Sequence, residues 1–425
     1  MKNKGLVQFV FFACVMSGLF SCSPFPQPIS NLTNFNPSEN LNDLLDQFTN
    51  SHLDNGSDMK LLIDGNQAEP VFEELIQSAQ DHINLEMLNF DNDSAEPENL
   101  SSKFINLLAD KARQGVLVNV VLDPIIQRIK STEMIKTLTD AGANVRYYFP
   151  PLNQILLSQV LYRTHKKILI ADGTRAIVGG MNIGYKYLGP DQWRDTSVLL
   201  TGPIVGSVQR EFLRDWKDQG GTVDNETRFF PPLSPTGNLS IRSVDNRPAV
   251  NDFDLNEMVR IVLRSAKDHV DIVAPYFDPP PWLIEEFRLA ADRGTRVRIL
   301  TNSLQSVDSP SSYYMIAASF ESIIHLGVNI YLWNYGKHTL HEKAMVVDDK
   351  FAFVGSYNFN YRSIAWDAEN CVAFTDPEPI GRIQQMIDND FNQDFIVPVT
   401  QDFINEQSHE DMDLWNFAEN FNWLF

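Results

Sequence analysis

His165-Lys166-Lys167, four residues and then Asp172 returns in this sequence as His341-Glu342-Lys343, four residues and then Asp348. The same offset of 176 relates Ala176 to Ala352, Val178 to Val354, Gly179 to Gly355, Asn182 to Asn358 and Tyr185 to Tyr361. One His-x-Lys-x4-Asp arises by chance in a chain of this length about 2 to 3% of the time. Two in register, inside a longer shared string, mark a duplicated functional element. An imidazole, an ammonium and an amide gathered twice suit a tetrahedral phosphate: lysine and asparagine donate to its oxygens, one histidine attacks phosphorus and the other protonates the departing oxygen. The two imidazoles then need opposite protonation states. Asp195 and Glu369, 30 and 28 residues after His165 and His341, could each hold a ring nitrogen. Spacing leaves open which acid meets which ring.

The residues after each lysine are apolar, so each motif should ride on a buried strand, where residues two apart share a face. His and Lys then point the same way. A two-residue loop at Gly173-Thr174 would place His165 opposite Asn182, and the second half would place His341 opposite Asn358. Gly180 and Ser356 would then sit across from Lys167 and Lys343 and leave room for a ligand.

The elements that must position these residues alternate in an α/β pattern. Strands are expected at 61–63, 83–90 and 116–122, and helices at 70–79 and 103–114. Ser78-Ala79-Gln80-Asp81-His82-Ile83 recurs as Ser265-Ala266-Lys267-Asp268-His269-Val270, and Gly142-Ala143-Asn144-Val145 as Gly327-Val328-Asn329-Ile330. The chain therefore reads as two versions of one α/β half, related by a pseudo-two-fold axis, with the active site at their interface. The expected organisation is a first half at 59–229, a Pro-rich linker at 230–250, a second half at 251–400 and a tail at 401–425. His82 and His269 read as helix-end residues, His338 as a loop residue, and Trp193, Tyr276 and Phe277 as core aromatics. The C-terminal string of Trp415, Phe417, Phe421, Trp423 and Phe425 reads as docking on the core.

The 425 residues are 43% hydrophobic and 21% charged, in the range of globular proteins. A net charge of −21 disfavours nucleic acid as a partner. Three cysteines are too few for a disulfide scaffold, and Cys371, in an apolar run, reads as a buried thiol. No His/Cys/Asp/Glu cluster has metal-ligand spacing and no Gly-rich phosphate loop precedes a helix, so neither metal nor cofactor is expected. Lys2 and Lys4 precede an apolar stretch at 6–20 that spans roughly 22 Å, short of a ~30 Å hydrocarbon core. Residues 1–21 are thus expected to be a signal peptide and 22–58 a tether, with at most one short helix at 41–48. Leu19-Phe20-Ser21-Cys22 resembles a bacterial lipoprotein cleavage box. That resemblance implies lipidation of Cys22, export, and anchoring to a bacterial membrane on the periplasmic side or in the outer membrane.

Taken together, the motifs resemble those of the phospholipase D superfamily, and the branch they are most similar to is that of the bacterial cardiolipin synthases. The resemblance covers roughly residues 59–400. It includes Gly179-Gly180-Met181-Asn182, Trp193-Arg194-Asp195-Thr196, Gly202-Pro203, Asp215-Trp216, Ala274-Pro275-Tyr276-Phe277, Gly355-Ser356-Tyr357-Asn358 and Arg362-Ser363. It implies two phospholipase D-like α/β/α sandwich halves and a metal-independent ping-pong reaction through a phosphohistidine. His165 would be the nucleophile and His341 the acid. Lys167, Lys343, Asn182 and Asn358 would bind phosphate, Asp195 and Glu369 would orient the histidines, and Asp172 and Asp348 would stabilise the motif. The implied partners are a phospholipid in a membrane and an alcohol or water acceptor, with a monomer as the expected state. The alternatives are a nucleic-acid phosphodiesterase on the same scaffold and a catalytically silent surface protein. Two departures weaken the synthase assignment more than phosphatidyl transfer in general. Membrane-spanning helices often begin cardiolipin synthases and are not seen in this sequence, and Asp367 stands where an Asn is common.

Overall fold

A computed structural model of the chain describes residues 35–93, 95–130, 132–148 and 162–419. Cys22, the apolar stretch before it, and Phe421, Trp423 and Phe425 lie outside these residues. The first half holds β1 (Leu53–Ile63), β2 (His82–Met87), β3 (Leu117–Leu122), β4 (Asn144–Tyr147), β5 (Arg163–Thr164), β6 (Ile168–Ala171), β7 (Arg175–Gly179) and β8 (Thr196–Thr201). The second holds β9 (Leu239–Asn246), β10 (His269–Val273), β11 (Arg296–Asn302), β12 (Asn329–Trp333), β13 (Ala344–Val347), β14 (Phe351–Gly355), β15 (Asp367–Phe374) and β16 (Ile396–Pro398).

The duplication reappears strand for strand. The order β8-β7-β6-β2-β3-β4 in the first half is repeated as β15-β14-β13-β10-β11-β12 in the second, and β1 and β9 join the two into one continuous sheet. β2, β3 and β4 run parallel, as do β10, β11 and β12. Helices Leu100–Arg113 and Pro281–Asp292 make the corresponding crossovers. The motif strands are covered on both faces, which is why they read as unbroken apolar runs. Ile168 and Ile170 enter a core shared with Ala344 and Val346 of the other half, while Leu169 and Ala171 enter a core of the first half alone.

Two expected boundaries shift. The stretch taken as a linker contains β9, whose residues Ile241 to Asn246 are buried and which pairs with both β1 and β15. Its charged residues are satisfied by distant partners, Arg242 by the Ser51 carbonyl at 2.8 Å and Asp245 by Lys166 at 2.7 Å, so no apolar pattern announced it. The stretch taken as a tether contributes helix Leu41–Phe48, with Leu44 and Leu45 buried, and most of β1. At the other end, Trp415 of helix His409–Glu419 docks against Phe320, ring centroids 5.8 Å apart, so that this part of the tail belongs to the core.

Candidate active site

Each motif is fastened by its aspartate. Asp172 accepts the backbone N–H groups of Gln80, Asp81 and His82 at 2.7 to 2.9 Å, and Asp348 accepts those of Lys267, Asp268 and His269 at 2.7 to 2.8 Å. The repeated Ser-Ala-x-Asp-His string is therefore the receptor for the motif aspartate. His82 and His269 open strands rather than closing helices, and neither aspartate points toward the histidines' seam. To reach those donors Asp172 takes a left-handed conformation (φ 53°), as does Asp348 (φ 52°). The turn consequently holds three residues instead of two, and the register pairs Ile168 with Val178 and Ala344 with Val354. The expected register was one residue out, and Asn182 and Asn358 are not ladder partners of the histidines.

The acids cross the seam. The backbone N–H of His165 donates to the carbonyl of Ala368 at 2.8 Å, and that of His341 to the carbonyl of Arg194 at 2.7 Å. Each histidine is thus seated beside the acid of the opposite half. His165 Nδ1 lies 3.0 Å from both carboxylate oxygens of Glu369, and His341 Nδ1 lies 2.7 Å from Oδ2 of Asp195. An imidazole whose Nδ1–H is given to a carboxylate keeps Nε2 free for attack or proton transfer. Gly180 and Ser356 serve these acids and not a ligand. A Cβ on Gly180 would stand 2.1 Å from Asp195 Oδ1, and the hydroxyls of Ser356 and Ser363 both donate to Glu369.

Lys167 Nζ donates to the carbonyl of His165 at 2.6 Å, and Lys343 Nζ to the carbonyl of His341; among the described residues neither is paired with a carboxylate. Burial pushes Lys167 down to about 7 against the pull of Glu369, and Lys343 down to about 8 against the pull of Asp195. Burial also lowers His165, with Glu369 opposing, and lowers His341 well below the usual imidazole range, where Lys343 and Lys167 add to the effect. Asp195 is raised to about 6 by burial. Asn182 is buried beside the hydroxyl of Tyr187, and among the described residues Oδ1 of Asn358 is buried with no hydrogen-bond partner. Two buried lysines whose charged forms burial disfavours, set beside two buried amides, make a site that an anion suits.

A cavity of about 200 Å³ reaches His165 and Asn358 and is lined by both apolar residues, Leu88, Ile126, Met315 and Ile316, and charged ones, Arg163, Asp278, Arg362 and Asp367. Arg163 precedes His165 by two residues, and among the described residues its Nε is buried without a hydrogen-bond partner. Asp367 is paired with Arg362 through Nε at 3.1 Å. Around His341 stand the rings of Tyr187, Trp193 and Tyr276, at 5.2, 5.3 and 6.2 Å. Trp193 and Tyr276, read from the sequence as core aromatics, thus touch a site residue, whereas Phe277 is core. His338 is a loop residue bonded to the Gln192 carbonyl at 3.0 Å. The sequence reading gave Ser356 a different role and gave none to Ser363, although both stood in the resembling motifs. Nor did it give one to Glu342, which meets Arg194 at 2.6 Å on the side away from the histidine. Among the described residues no group of three His, Cys, Asp or Glu side chains could hold a metal ion, and no helix is long and apolar enough to cross a membrane.

Comparison with known proteins agrees with this geometry. Cardiolipin synthase 2 of Staphylococcus epidermidis is 29% identical over 345 residues, which cover 79% of this chain and 68% of that protein. Cardiolipin synthase of Alkalihalophilus pseudofirmus is 31% identical over 314 residues, covering 72% of this chain and 60% of that one. Among solved structures, phosphatidylserine synthase of Haemophilus influenzae superposes with a TM-score of 0.69 at 16% identity, over 91% of this chain and all of that one. Polyphosphate kinase of Porphyromonas gingivalis reaches 0.56 at 12% identity, over 94% of this chain and 57% of that one; both show a shared fold. The family model described as "Cardiolipin synthase, PLD-like domain" matches residues 72–216 and 259–395, one segment in each half, and the chain belongs to that family.

Proposed function

We infer that the protein is a phosphatidyltransferase that moves a phosphatidyl group from a phospholipid to an alcohol or to water through a phosphohistidine. The observation that carries this reading is the pair of histidines, each with Nδ1 on a carboxylate of the opposite half, flanked by two buried lysines that, among the described residues, lack a carboxylate partner. Relatives named cardiolipin synthase, similar over most of the chain, support a phospholipid as donor.

In the first step Nε2 of one histidine bonds to phosphorus as the phosphorus–oxygen bond to the leaving alcohol breaks, and the other imidazolium gives its proton to that oxygen. In the second step the now neutral imidazole takes the proton of the incoming alcohol or water. The new phosphorus–oxygen bond then forms as the phosphorus–nitrogen bond breaks. Lys167, Lys343, Asn182 and Asn358 hold the non-bridging oxygens. The family resemblance makes His165 the nucleophile. An anionic phosphate between the lysines favours their charged forms and also favours a proton on His341, so substrate itself prepares the acid.

Lipid mass spectrometry after incubation of the protein with phosphatidylglycerol vesicles, with and without added deuterated glycerol, tests the reading. Cardiolipin, phosphatidic acid or an exchanged headgroup is expected, and an unchanged lipid profile would refute it. The Leu-x-Ser-Cys sequence further supports export and anchoring through Cys22. Cys22→Ser should leave the protein unprocessed or release it from membranes, and normal processing with unchanged membrane attachment would refute the anchor.

A further inference from the structure

Asp64, at the junction of β1 and helix Asp64–Ser78, holds a left-handed backbone (φ 56°) that a residue with a Cβ adopts at a cost. The reason lies in its partners. Its N–H donates to the carbonyl of Asp195 at 2.9 Å, while its Oδ1 accepts the N–H of Asp195 at 3.0 Å and Nη1 of Arg194 at 3.2 Å. The acid that meets His341 is therefore gripped at both of its backbone polar atoms by one residue. Arg194 extends the grip across the seam, with two bonds to Asp390 at 2.8 and 2.7 Å and a carbonyl that receives the His341 N–H at 2.7 Å.

Among the described residues the second half has no such side-chain clamp on the backbone of its acid. Asn246 stands opposite Glu369 in the β9–β15 register, but its side-chain oxygen takes the N–H of Leu255 at 2.8 Å and its amide donates to Asn256 at 3.0 Å. There Glu369 is held through its carboxylate, by Ser356 and Ser363. Asn246 thus holds the place of Asp64 in the repeat without its bonds, and Asp64 itself precedes the first segment that the family model matches.

The geometry points to Asp64 as a positioning residue that fixes Asp195 against His341 Nδ1, so that its side chain governs turnover and not substrate binding. This rests on the two-histidine reaction proposed above. Its chemistry predicts which replacements succeed. Asn accepts a left-handed backbone and retains an acceptor oxygen, whereas Gly accepts the backbone without strain and lacks the acceptor.

The test compares wild type, Asp64→Asn and Asp64→Gly on bis(p-nitrophenyl) phosphate and on phosphatidylglycerol vesicles, with melting temperatures measured alongside. Asp64→Gly should lower kcat by about tenfold or more with KM within about twofold, and Asp64→Asn should stay within about threefold of wild type. In Asp64→Gly the alkaline limb of kcat should move to lower pH, because a carboxylate that drifts from His341 no longer stabilises its imidazolium. The inference is overturned if Asp64→Gly turns over like wild type, if Asp64→Asn is as slow as Asp64→Gly, or if the loss lies in KM with the pH limb unmoved. Should wild type leave every lipid unchanged yet cleave the nitrophenyl diester, the lipid reading fails and the role of Asp64 is still decided.

Discussion

His165 and His341 share a motif and a fold position, but their surroundings have diverged. His165 meets both oxygens of Glu369, a carboxylate already bonded to two serine hydroxyls, and it opens onto a pocket that holds Arg163, Arg362 and Asp367. His341 meets one oxygen of Asp195, whose backbone is clamped by Asp64, and it is ringed by Tyr187, Trp193 and Tyr276. Where the first half carries Arg163, the same offset in the second gives Thr339, whose hydroxyl is spent on the Ser306 carbonyl at 2.6 Å. The duplication has kept the histidines, lysines and asparagines and varied the groups that surround them. Unlike surroundings push the two imidazoles apart, with His341 the more strongly lowered, so in the roles assigned above the proton on His341 depends on the charge of the bound phosphate.

The largest expected effect tests whether the difference is one of tuning or of necessity. His165→Ala and His341→Ala should each lower kcat by about 10³-fold or more, and the double variant should be little worse, because the two rings act as one unit. Steady-state rates within about tenfold of wild type for either single variant would leave only one ring essential. The acids come next. Asp195→Ala and Glu369→Ala should each cost roughly 10²-fold in kcat. Double-mutant cycles should couple Asp195 to His341 and Glu369 to His165, and coupling within each half instead would contradict the crossed arrangement.

Asymmetry at the pocket gives a smaller effect. Arg163→Gln should weaken competitive inhibition by inorganic phosphate about tenfold, as expected for one lost charge-assisted bond, whereas Thr339→Val should barely change it. Equal responses would show that Arg163 does not serve anions. The smallest effect concerns pH. Because burial pushes Lys167 and Lys343 down to about 7 and 8, kcat/KM should fall as pH rises through about 7 to 8 with the loss of their charge. A bound phosphate favours the ammonium forms, so the fall in kcat should lie at higher pH. Coincident alkaline limbs would mean that the lysines do not face phosphate.

Much of this was legible in the sequence because duplication prints chemistry twice: the histidines, lysines and asparagines and the two-half architecture all follow from one repeated string. What stayed hidden depends on contacts between halves. Chain spacing relates Asp195 to His165 and Glu369 to His341 equally well whether the acids cross or not, and only the pairing of Arg163 with Asp367 and the bridge from Arg194 to Leu340 decide it. The register slipped by one because the motif aspartates leave the ladder to bind backbone donors some 90 and 80 residues upstream. β9 was hidden because its buried Arg242 and Asp245 find partners in segments far away in the chain. Asp64 stayed unmarked because the repeat puts Asn246 in its place.

The central claim is that one histidine carries the phosphoryl group while its partner across the seam moves the proton. Rapid quenching at alkaline pH during turnover of phosphate-labelled phosphatidylglycerol, followed by peptide mapping, tests it most directly. Label is predicted on the peptide that holds His165, acid-labile and absent from His165→Ala. Label on the His341 peptide would exchange the two roles. Continued turnover with no label on either peptide would contradict the account.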